Sequence, residues 1–471
     1  MKKSIIKITV FIAVFLLALI VIGRIMNEGH DNLTVEMGPA TLPLVTMELD
    51  GIEYNQLHGY VQAMDPAFQR DVVTVLGESR DTGFVIDTCG ADVTKISIEV
   101  RNGDGSRLIE NTEITEYERK GDRIRGRLAL KDLIAPDTEY SLAVILRLGE
   151  AREVYYYTRV VWSENMYAME KLEYVIDFHQ RLYDREAARE LTRYLETNSR
   201  LEDNSSFHKV NIHSSFRQIT WGELNVREIS EPVVRLREIA GQTASVLVDY
   251  MVSTSEGKNT TYYMVREYFR VRYSTERMYL LDYERTMTQI PDTEHMYAND
   301  KILLGITGTD IPMQESEDGN IVVFEVANRL FSYDVISNRL AVIFSFYDAE
   351  NADWRTVYDQ HSIKILNVDE GGNIQFAVYG YMNRGRHEGE VGVQVYTYNS
   401  SLNTVEELIY IPVDTTYSVL SAELKQLLYL NRDGQLYLQL NNVVYGIDLV
   451  EKRVIQVANI IRSGSLQVSD N

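Results

Sequence analysis

The chain has little cysteine and few basic residues, and both shortages exclude classes of protein. Cys89 is the single cysteine among 471 residues, so the chain has neither an intrachain disulfide framework nor a thiolate zinc cluster. Lysine and arginine number 47 against 69 aspartates and glutamates, which gives a net charge of −22. A surface this acidic repels phosphate backbones, so we expect no nucleic-acid partner. With 45% hydrophobic residues, the chain has enough apolar material for about three folded domains.

The sequence also lacks the short motifs that mark common catalytic and cofactor sites. It has no Gly-x-Ser-x-Gly elbow, no phosphate-binding glycine loop and no Cys-x-x-Cys pair. His208 and His213 are five residues apart, which places them on opposite faces of a strand and excludes a chelating pair. Asp318, Asp369 and Asp433 are candidate calcium ligands, but they lie near turns of ordinary hairpin chemistry, which is the interpretation we favour. We therefore predict no catalytic residue, no cofactor and no metal ligand, and the sequence leans against an enzyme.

The N-terminus carries a candidate membrane anchor. Lys2, Lys3 and Lys7 precede an uncharged run at 8–23, which Arg24 closes. Positive charge before an apolar run favours a cytoplasmic N-terminus, with the rest of a single-pass chain outside the cell membrane. A cleaved signal peptide is the alternative, but no small-x-small cleavage site follows the run. The predicted segments are a cytoplasmic stub at 1–7 and a transmembrane anchor at 8–26.

Strand-like runs separated by turns predict a β-sandwich over residues 33–162. In the run Ile96–Val100 apolar and polar residues alternate, as they do in a strand that is buried on one face. Pro136, Thr138 and Tyr140 lie in a segment that resembles the E–F corner of fibronectin type III domains, Leu-x-Pro-x-Thr-x-Tyr, with one extra residue before the proline. The resemblance implies that the Tyr140 hydroxyl bonds the corner's backbone and that the module is a spacer or a binding surface. The early-strand tryptophan of that family is missing here, which leaves the strand order open.

Cys89 lies in an Asp-Thr-Cys-Gly run within this region. One interpretation is a reactive thiol, and the other is a small residue of a turn or of the core. We favour the second, because no cationic residue or histidine next to it in sequence would lower its pKa.

Residues 163–292 have the pattern of helices followed by long strands, an α+β layer. One helical stripe contains Met166, Met169, Leu172, Ile176, His179 and Leu182. In the order of its elements the unit resembles NTF2-like proteins, which implies a pocket near His179. The alternative, which we favour, is that His179 is a tolerated member of an apolar helix face, because a histidine without a partner acid makes no site.

Residues 300–471 contain an internal repeat. Asp318-Gly319 opens one copy, Asp433-Gly434 opens another, and a third copy lies between them. Each copy has the pattern of four short antiparallel strands and resembles a blade of irregular WD40- or YVTN-like β-propellers. The resemblance implies a partial propeller of about three blades. Because three blades and one further strand cannot close a ring, we expect the chain to be a C-terminal truncation of a longer protein.

An insertion in the middle copy, at residues 382–392, is the preferred partner-contact site. Its candidate contact residues are Arg384, Arg386, His387 and Glu388. Loops on one face of a repeat protein often carry its binding surface. A solvated hairpin tip is the simpler alternative.

The predicted fold class is mainly β with one N-terminal transmembrane helix, followed by a β-sandwich, a small α+β unit and an incomplete β-propeller. The predicted function is a non-catalytic, membrane-anchored extracytoplasmic binding or scaffold protein of a bacterial envelope, which presents the propeller to a protein or a wall glycan. One alternative is an extracytoplasmic propeller hydrolase or lyase, with its site largely in missing C-terminal blades. Another is a sensor ectodomain that acts through a partner, because only about seven residues precede the predicted span.

Overall fold

The computed structural model describes residues 37–460 apart from 132–133, 199, 201–204, 257–258, 292–296, 299–300 and 348–352. β-Strands dominate these residues, which confirms the predicted mainly β character. The predicted stub and anchor, 1–7 and 8–26, lie outside them. Within the described part of the chain, no helix has the length and the apolar character needed to cross a membrane.

Two five-stranded sheets form the first part of the structure. Their strands are β1 (Leu44–Leu49), β2 (Ile52–Leu57), β3 (Val73–Leu76), β4 (Asp81–Asp87), β5 (Val93–Asn102), β6 (Leu108–Ile114), β7 (Tyr117–Lys120), β8 (Arg123–Ala129), β9 (Glu139–Leu148) and β10 (Arg152–Trp162). The strand order is β2-β1-β4-β8-β7 in one sheet and β3-β10-β9-β5-β6 in the other. Side chains of both sheets share one core, and the alternation in β5 places Ile96, Ile98 and Val100 there.

The predicted corner lies directly before β9. The backbone N–H of Ala135 donates to the Tyr140 hydroxyl oxygen at 3.0 Å, and the Thr138 hydroxyl donates to the Pro136 carbonyl at 3.3 Å. The corner is therefore held by its own polar groups. The relationship to fibronectin type III domains stays a prediction.

Tyr140→Phe is expected to lower the free energy of unfolding by about 1 kcal/mol, because it removes the hydrogen bond from Ala135 and keeps the ring. Urea unfolding of both chains measures the difference. Tyr117→Phe, which changes an exposed tyrosine of β7, is the control. A loss no larger than that of the control would refute the structural role of the corner.

Helices on a six-stranded sheet form the second part. The helices are α1 (Ala168–Arg181), α2 (Arg185–Ala188) and α3 (Phe216–Ile219), and the strands are β11 (Lys209–Asn211), β12 (Val226–Glu228), β13 (Val233–Ala240), β14 (Thr243–Glu256), β15 (Asn259–Arg272) and β16 (Tyr279–Ile290). The strand order is β11-β16-β15-β14-β12, and β13 also pairs with β14. On α1, the ring of Phe178 lies 5.4 Å from that of Phe269 and 5.2 Å from that of Tyr283. Helix α1 therefore covers the face that β15 and β16 present.

A bulged residue joins the first two parts. Asn55 of β2 is fully buried with φ at 51°, and the register between β1 and β2 shifts beside it. Its side-chain nitrogen donates to the Val73 carbonyl at 2.8 Å, and its side-chain oxygen accepts from the Leu236 backbone N–H at 2.8 Å. Asparagine tolerates the left-handed conformation that such a bulge requires. The bulge thus brings the Asn55 side chain into hydrogen-bonding contact with β13. One hydrophobic core also runs through both parts.

The last part begins with a short ribbon and continues as three four-stranded sheets. Its strands are β17 (Tyr297–Ala298), β18 (Lys301–Ile302), β19 (Met313–Glu315), β20 (Ile321–Val326), β21 (Arg329–Asp334), β22 (Arg339–Ser345), β23 (His361–Val368), β24 (Ile374–Tyr381), β25 (Val391–Asn399), β26 (Thr404–Pro412), β27 (Leu428–Leu430), β28 (Gln435–Leu440), β29 (Val443–Asp448) and β30 (Arg453–Asn459). Helix α4 (Tyr417–Gln426) lies against the middle and last sheets. The short 3-10 turns of the described chain are Pro66–Phe68, Arg189–Tyr194 and Trp354–Val357.

This last part corrects the predicted fold class. The predicted incomplete propeller is wrong, because the three sheets are separate and open: within the described residues, each pairs only its own four strands. The middle sheet instead packs on the first part, where the ring of Tyr381 lies 5.2 Å from that of Tyr60. The Asp-Gly repeat encodes hairpins, and this local signal does not determine how the sheets assemble. The transmembrane helix of the same prediction likewise has no counterpart among the described helices.

Candidate ligand-binding cleft

The predicted partner-contact loop is folded onto an earlier segment of the chain. The Glu388 carboxylate is buried and accepts hydrogen bonds from the backbone N–H groups of Thr41 (2.7 Å) and Leu42 (3.0 Å). It also accepts one from the Thr41 hydroxyl at 2.6 Å. Glu388 therefore has an intramolecular role that the sequence did not indicate.

The other residues of this loop differ in how far they are open to solvent. His387 stacks on Tyr410 with 3.6 Å between the ring centroids, and its Nε2 atom lies 3.3 Å from Glu407. Arg384 is half-buried and Arg386 is exposed. Of the four predicted contact residues, Arg386 is the most accessible to a partner.

Cys89 and two of the turn aspartates, Asp318 and Asp369, make hydrogen bonds within their own turns. Burial raises the pKa of the Cys89 thiol to about 12, so the thiol is protonated at neutral pH. Asp318 accepts from the Ser316 hydroxyl at 2.6 Å, and Asp369 accepts from the Asn373 backbone N–H at 2.8 Å. Among the described residues, no three metal-ligating side chains lie close enough together to hold an ion.

A cavity of about 480 Å³, here called the central cleft, lies where the three parts of the structure meet. The first part contributes Gln56 and His58, and the second contributes residues of β13, β14 and β15. The last part contributes the segment Trp354–Ser362 and Tyr417 of α4. Sites that join several units are frequent places for small ligands. Sequence analysis missed this cleft, because its walls are far apart along the chain.

Four ionised side chains form a square on the wall of the central cleft. Arg235 of β13 and Arg266 of β15 each pair with both Asp249 of β14 and Asp359. The distance from Arg235 Nη1 to Asp359 Oδ1 is 3.3 Å. Burial disfavours the ionised form of Asp359, but the two guanidinium groups outweigh it and hold the pKa of that carboxyl well below its usual value. Two guanidinium groups face two carboxyl groups, so the formal charges of the square balance.

Two histidines of the central cleft are neutral. His58 stacks on Tyr358 with 3.7 Å between the ring centroids, and burial together with the charge of Arg235 lowers its pKa to about 3. His361, at the start of β23, is almost fully buried, and burial lowers its pKa to about 4. Neither ring nitrogen of His361 makes a hydrogen bond of normal geometry with the described residues, and the nearby Tyr358 backbone offsets only part of the effect of burial on its pKa. A buried polar group of this kind is uncommon and points to a missing partner.

The aromatic wall of the central cleft is anchored to the rest of the molecule. Trp354 opens a 3-10 turn, and the Asp353 carboxylate caps this turn by accepting from the Arg355 backbone N–H at 2.9 Å. The Arg355 side chain donates to the Leu42 carbonyl at 2.7 Å, which ties the turn to the chain just before β1. Trp354 is half-buried, and so is Tyr417 of α4. The cleft therefore combines aromatic faces with fixed hydrogen-bond donors and acceptors.

A second cluster surrounds His179 on α1. Its Nδ1 atom lies 2.7 Å from Glu267, and its Nε2 atom lies 3.0 Å from Glu228. The hydroxyl of Tyr283 donates to Glu267 at 2.8 Å, and that of Tyr183 donates to Glu228 at 3.1 Å. Burial disfavours the imidazolium, but the two carboxylates outweigh it and raise the pKa of His179 to about 9. His179 is therefore a cation at neutral pH, held between two acids.

This cluster corrects the interpretation of His179 as a histidine without an acid partner. Its partners lie 49 and 88 residues further along the chain, so no local motif joins them. One signal was present: Glu267 lies between Val265 and Phe269 on the apolar face of β15. A lone acid on a buried strand face needs a partner, and the partner is His179. A second cavity of about 480 Å³ adjoins His179 and is also lined by Gly51–Glu53 of the first part. The NTF2-like resemblance stays a prediction.

Comparisons with known proteins add little to this picture. No protein family matches the chain, and no curated protein matches it. Among solved structures, it is similar to the extracellular domain of a candidate one-component system from B. thetaiotaomicron, with 12% sequence identity and a TM-score of 0.18. The match covers 47% of this chain and 33% of that one, so the chain spans about a third of the length of that structure. A likeness this weak supports no conclusion about function.

Proposed function

We propose that this chain is a non-catalytic binding protein that acts outside the cytoplasm and holds a short length of cell-wall glycan in the central cleft. The observation that carries the proposal is the cleft itself, with a volume of about 480 Å³. Small-ligand sites typically measure roughly 300–1,000 Å³. This volume suits about one or two sugar rings better than it suits the surface of a protein partner.

The chemistry of the cleft walls supports a saccharide. Trp354, Tyr358 and Tyr417 provide aromatic faces, against which the apolar side of a sugar ring packs. The ionic square provides charged hydrogen-bond donors and acceptors for hydroxyl and amide groups. Because the square is neutral, the cleft does not share the strong negative charge of the whole chain.

The location is inferred from the sequence. Three lysines before the uncharged run at 8–23 support attachment to the cell membrane, with the described residues on the outer side. A binding protein in that position has wall glycan within reach. The single cysteine favours a bacterial over a eukaryotic origin for such an exported chain, because a eukaryotic secreted chain of this size would usually carry several disulfides.

Calorimetric titration tests the proposal. The probe is the wall disaccharide of N-acetylglucosamine and N-acetylmuramic acid, added to the full chain. We expect one saturable site, and we expect Trp354→Ala to weaken binding at least about tenfold, because a tryptophan that a ligand covers commonly contributes 1.4 kcal/mol or more.

Tyr262→Ala is the matched control, since Tyr262 is an exposed aromatic residue of β15 that does not line the cleft. It should bind the disaccharide as the native chain does. If the native chain takes up no disaccharide at millimolar concentration, or if both variants bind equally well, the proposed function is wrong.

A further inference from the structure

Arg329, at the start of β21, is a buried cation without an acidic partner among the described residues. The side chain is 6% exposed, and its Nη1 atom donates to the Ala327 carbonyl at 2.9 Å. The guanidinium lies 4.9 Å from the ring centroid of Tyr347. Its Nη2 atom is buried and has no hydrogen-bond partner within the part of the chain that the structure describes. Burial lowers the pKa of Arg329 to about 10, which still leaves it charged at neutral pH.

An unpaired buried charge is unfavourable, because a guanidinium that leaves water needs a counter-charge or a full set of acceptors. Two other buried arginines of the described residues have more partners. Arg235 pairs with two aspartates, and Arg285, which is in no ion pair among these residues and whose Nε is also unbonded, donates to the carbonyls of Ile219 and Gln218 at 2.8 Å each. Arg329 donates to one backbone carbonyl, so its charge has fewer compensating contacts than either.

The unpartnered histidine of the central cleft lies beside this arginine. Arg329 and His361 line one small cavity of about 20 Å³. His361 also lines the central cleft, as do Ala327 and Asn328, so the small cavity adjoins the cleft at these residues. A volume of this size holds one atom about as large as a water molecule. A neutral imidazole offers one N–H donor there, next to the free Nη2 donor of Arg329.

We propose that Arg329 and His361 form an anion site at the inner end of the central cleft, and that it receives one oxygen of a carboxylate on the bound ligand. The inference deepens the proposed function and rests on it for the identity of that ligand. A wall glycan fits, because N-acetylmuramic acid carries a lactyl carboxylate and N-acetylglucosamine does not. The site thereby selects the muramic acid unit.

The geometry accounts for both donors. Arg329 and His361 both line the small cavity, so an oxygen placed there would have a guanidinium and an imidazole in its wall, and charge-assisted hydrogen bonds are the stronger kind. The square of Arg235, Arg266, Asp249 and Asp359 is already neutral, so it gives the carboxylate no comparable attraction. The preference for an anion therefore belongs to the inner end alone.

Two forms of one ligand test this inference: the muramic acid disaccharide and its analogue with the lactyl carboxylate converted to a carboxamide. We expect the native full chain to bind the carboxylate form at least tenfold more tightly by calorimetry. Arg329→Met should bind both forms alike. His361→Phe, which keeps an aromatic ring beside Phe346, should also lose the preference and serves if Arg329→Met does not fold. Arg339→Met, at an exposed arginine of β22, is the control and should keep it.

A second measurement needs no sugar. Melting temperatures are compared in sodium acetate and in sodium chloride of equal ionic strength. Acetate should raise the melting temperature of the native chain and of Arg339→Met in a saturable manner. It should leave the melting temperature of Arg329→Met unchanged. An equal response of Arg329→Met, or no response of the native chain, overturns the anion site. Equal binding of the carboxylate and carboxamide disaccharides overturns the assignment of the ligand while the proposed function stands. If neither disaccharide binds but the acetate response is retained, the anion site stands. The proposed function and the assignment of a wall glycan as the ligand are then wrong.

Discussion

Arg235→Met is expected to lower the free energy of unfolding by about 3–5 kcal/mol, because it leaves the two aspartates of the ionic square to share the single, more exposed guanidinium of Arg266. Arg235 is the most buried member of the square and pairs with both Asp249 and Asp359. Methionine keeps most of the volume, so the effect reports the charge rather than a cavity. Equilibrium unfolding in urea, with linear extrapolation, measures it.

Arg237→Met is the matched control for this prediction. Arg237 follows two residues later on β13, is partly exposed, and its nearest acid, Asp71, lies 3.7 Å away. Exposed pairs of this kind contribute about 0–1 kcal/mol. A similar loss in both variants would mean that the square does not hold the second and last parts together, and the wall of the cleft that it forms would be in doubt.

Glu267→Gln is expected to lower the free energy of unfolding at neutral pH by roughly 3 kcal/mol, because it removes one carboxylate from the buried His179 imidazolium. Glu267 has no exposed surface and accepts hydrogen bonds from both His179 and Tyr283. The amide retains the shape of the side chain but carries no charge. Urea unfolding at a series of pH values measures the effect.

The pH dependence provides a second, signed outcome. The pKa of His179 rises from 6.5 to about 9 in the folded chain, so the stability that its protonation contributes is complete below about 6.5 and is lost as the pH rises through about 9. The native chain should therefore lose stability across that interval. In Glu267→Gln the pKa of His179 falls back, and this part of the pH dependence should shrink.

Glu276→Gln, which changes an exposed glutamate in the turn before β16, is the control and should retain the native profile. If Glu267→Gln and the control show the same slope between pH 6.5 and 9, His179 is not the titrating group. Stability of the native chain that rises over this interval would reverse the sign and contradict the paired cation.

Local features of the fold were predictable from the sequence. Alternation in Ile96–Val100 gave a half-buried strand, and Gly319 and Gly434 occupy left-handed turn positions with φ at 70° and 75°. Such patterns depend on neighbours within a few residues. The assembly of the last three sheets does not depend on near neighbours in the sequence. It is set by side-chain packing between units, and the propeller prediction failed for that reason.

The candidate site was beyond the reach of sequence motifs. Arg266 and Asp359 are 93 residues apart, and no short motif connects them. Glu388 appeared to belong to a free loop, yet it binds a backbone segment 347 residues earlier. Arg329 and His361 look unremarkable in sequence, because the nitrogen atoms that they leave unbonded among the described residues become visible only when burial is known.

Hydrogen–deuterium exchange of the full chain, with and without saturating muramic acid disaccharide, tests the central claim most directly. The account predicts slower amide exchange in Trp354–Ser362 and in the parts of β14 and β15 around Asp249 and Arg266, which line the central cleft. It predicts little change in the distant β6–β7 region. Unchanged exchange at the cleft in the presence of the disaccharide, or protection confined to another surface, would contradict the assignment of the central cleft as the glycan site.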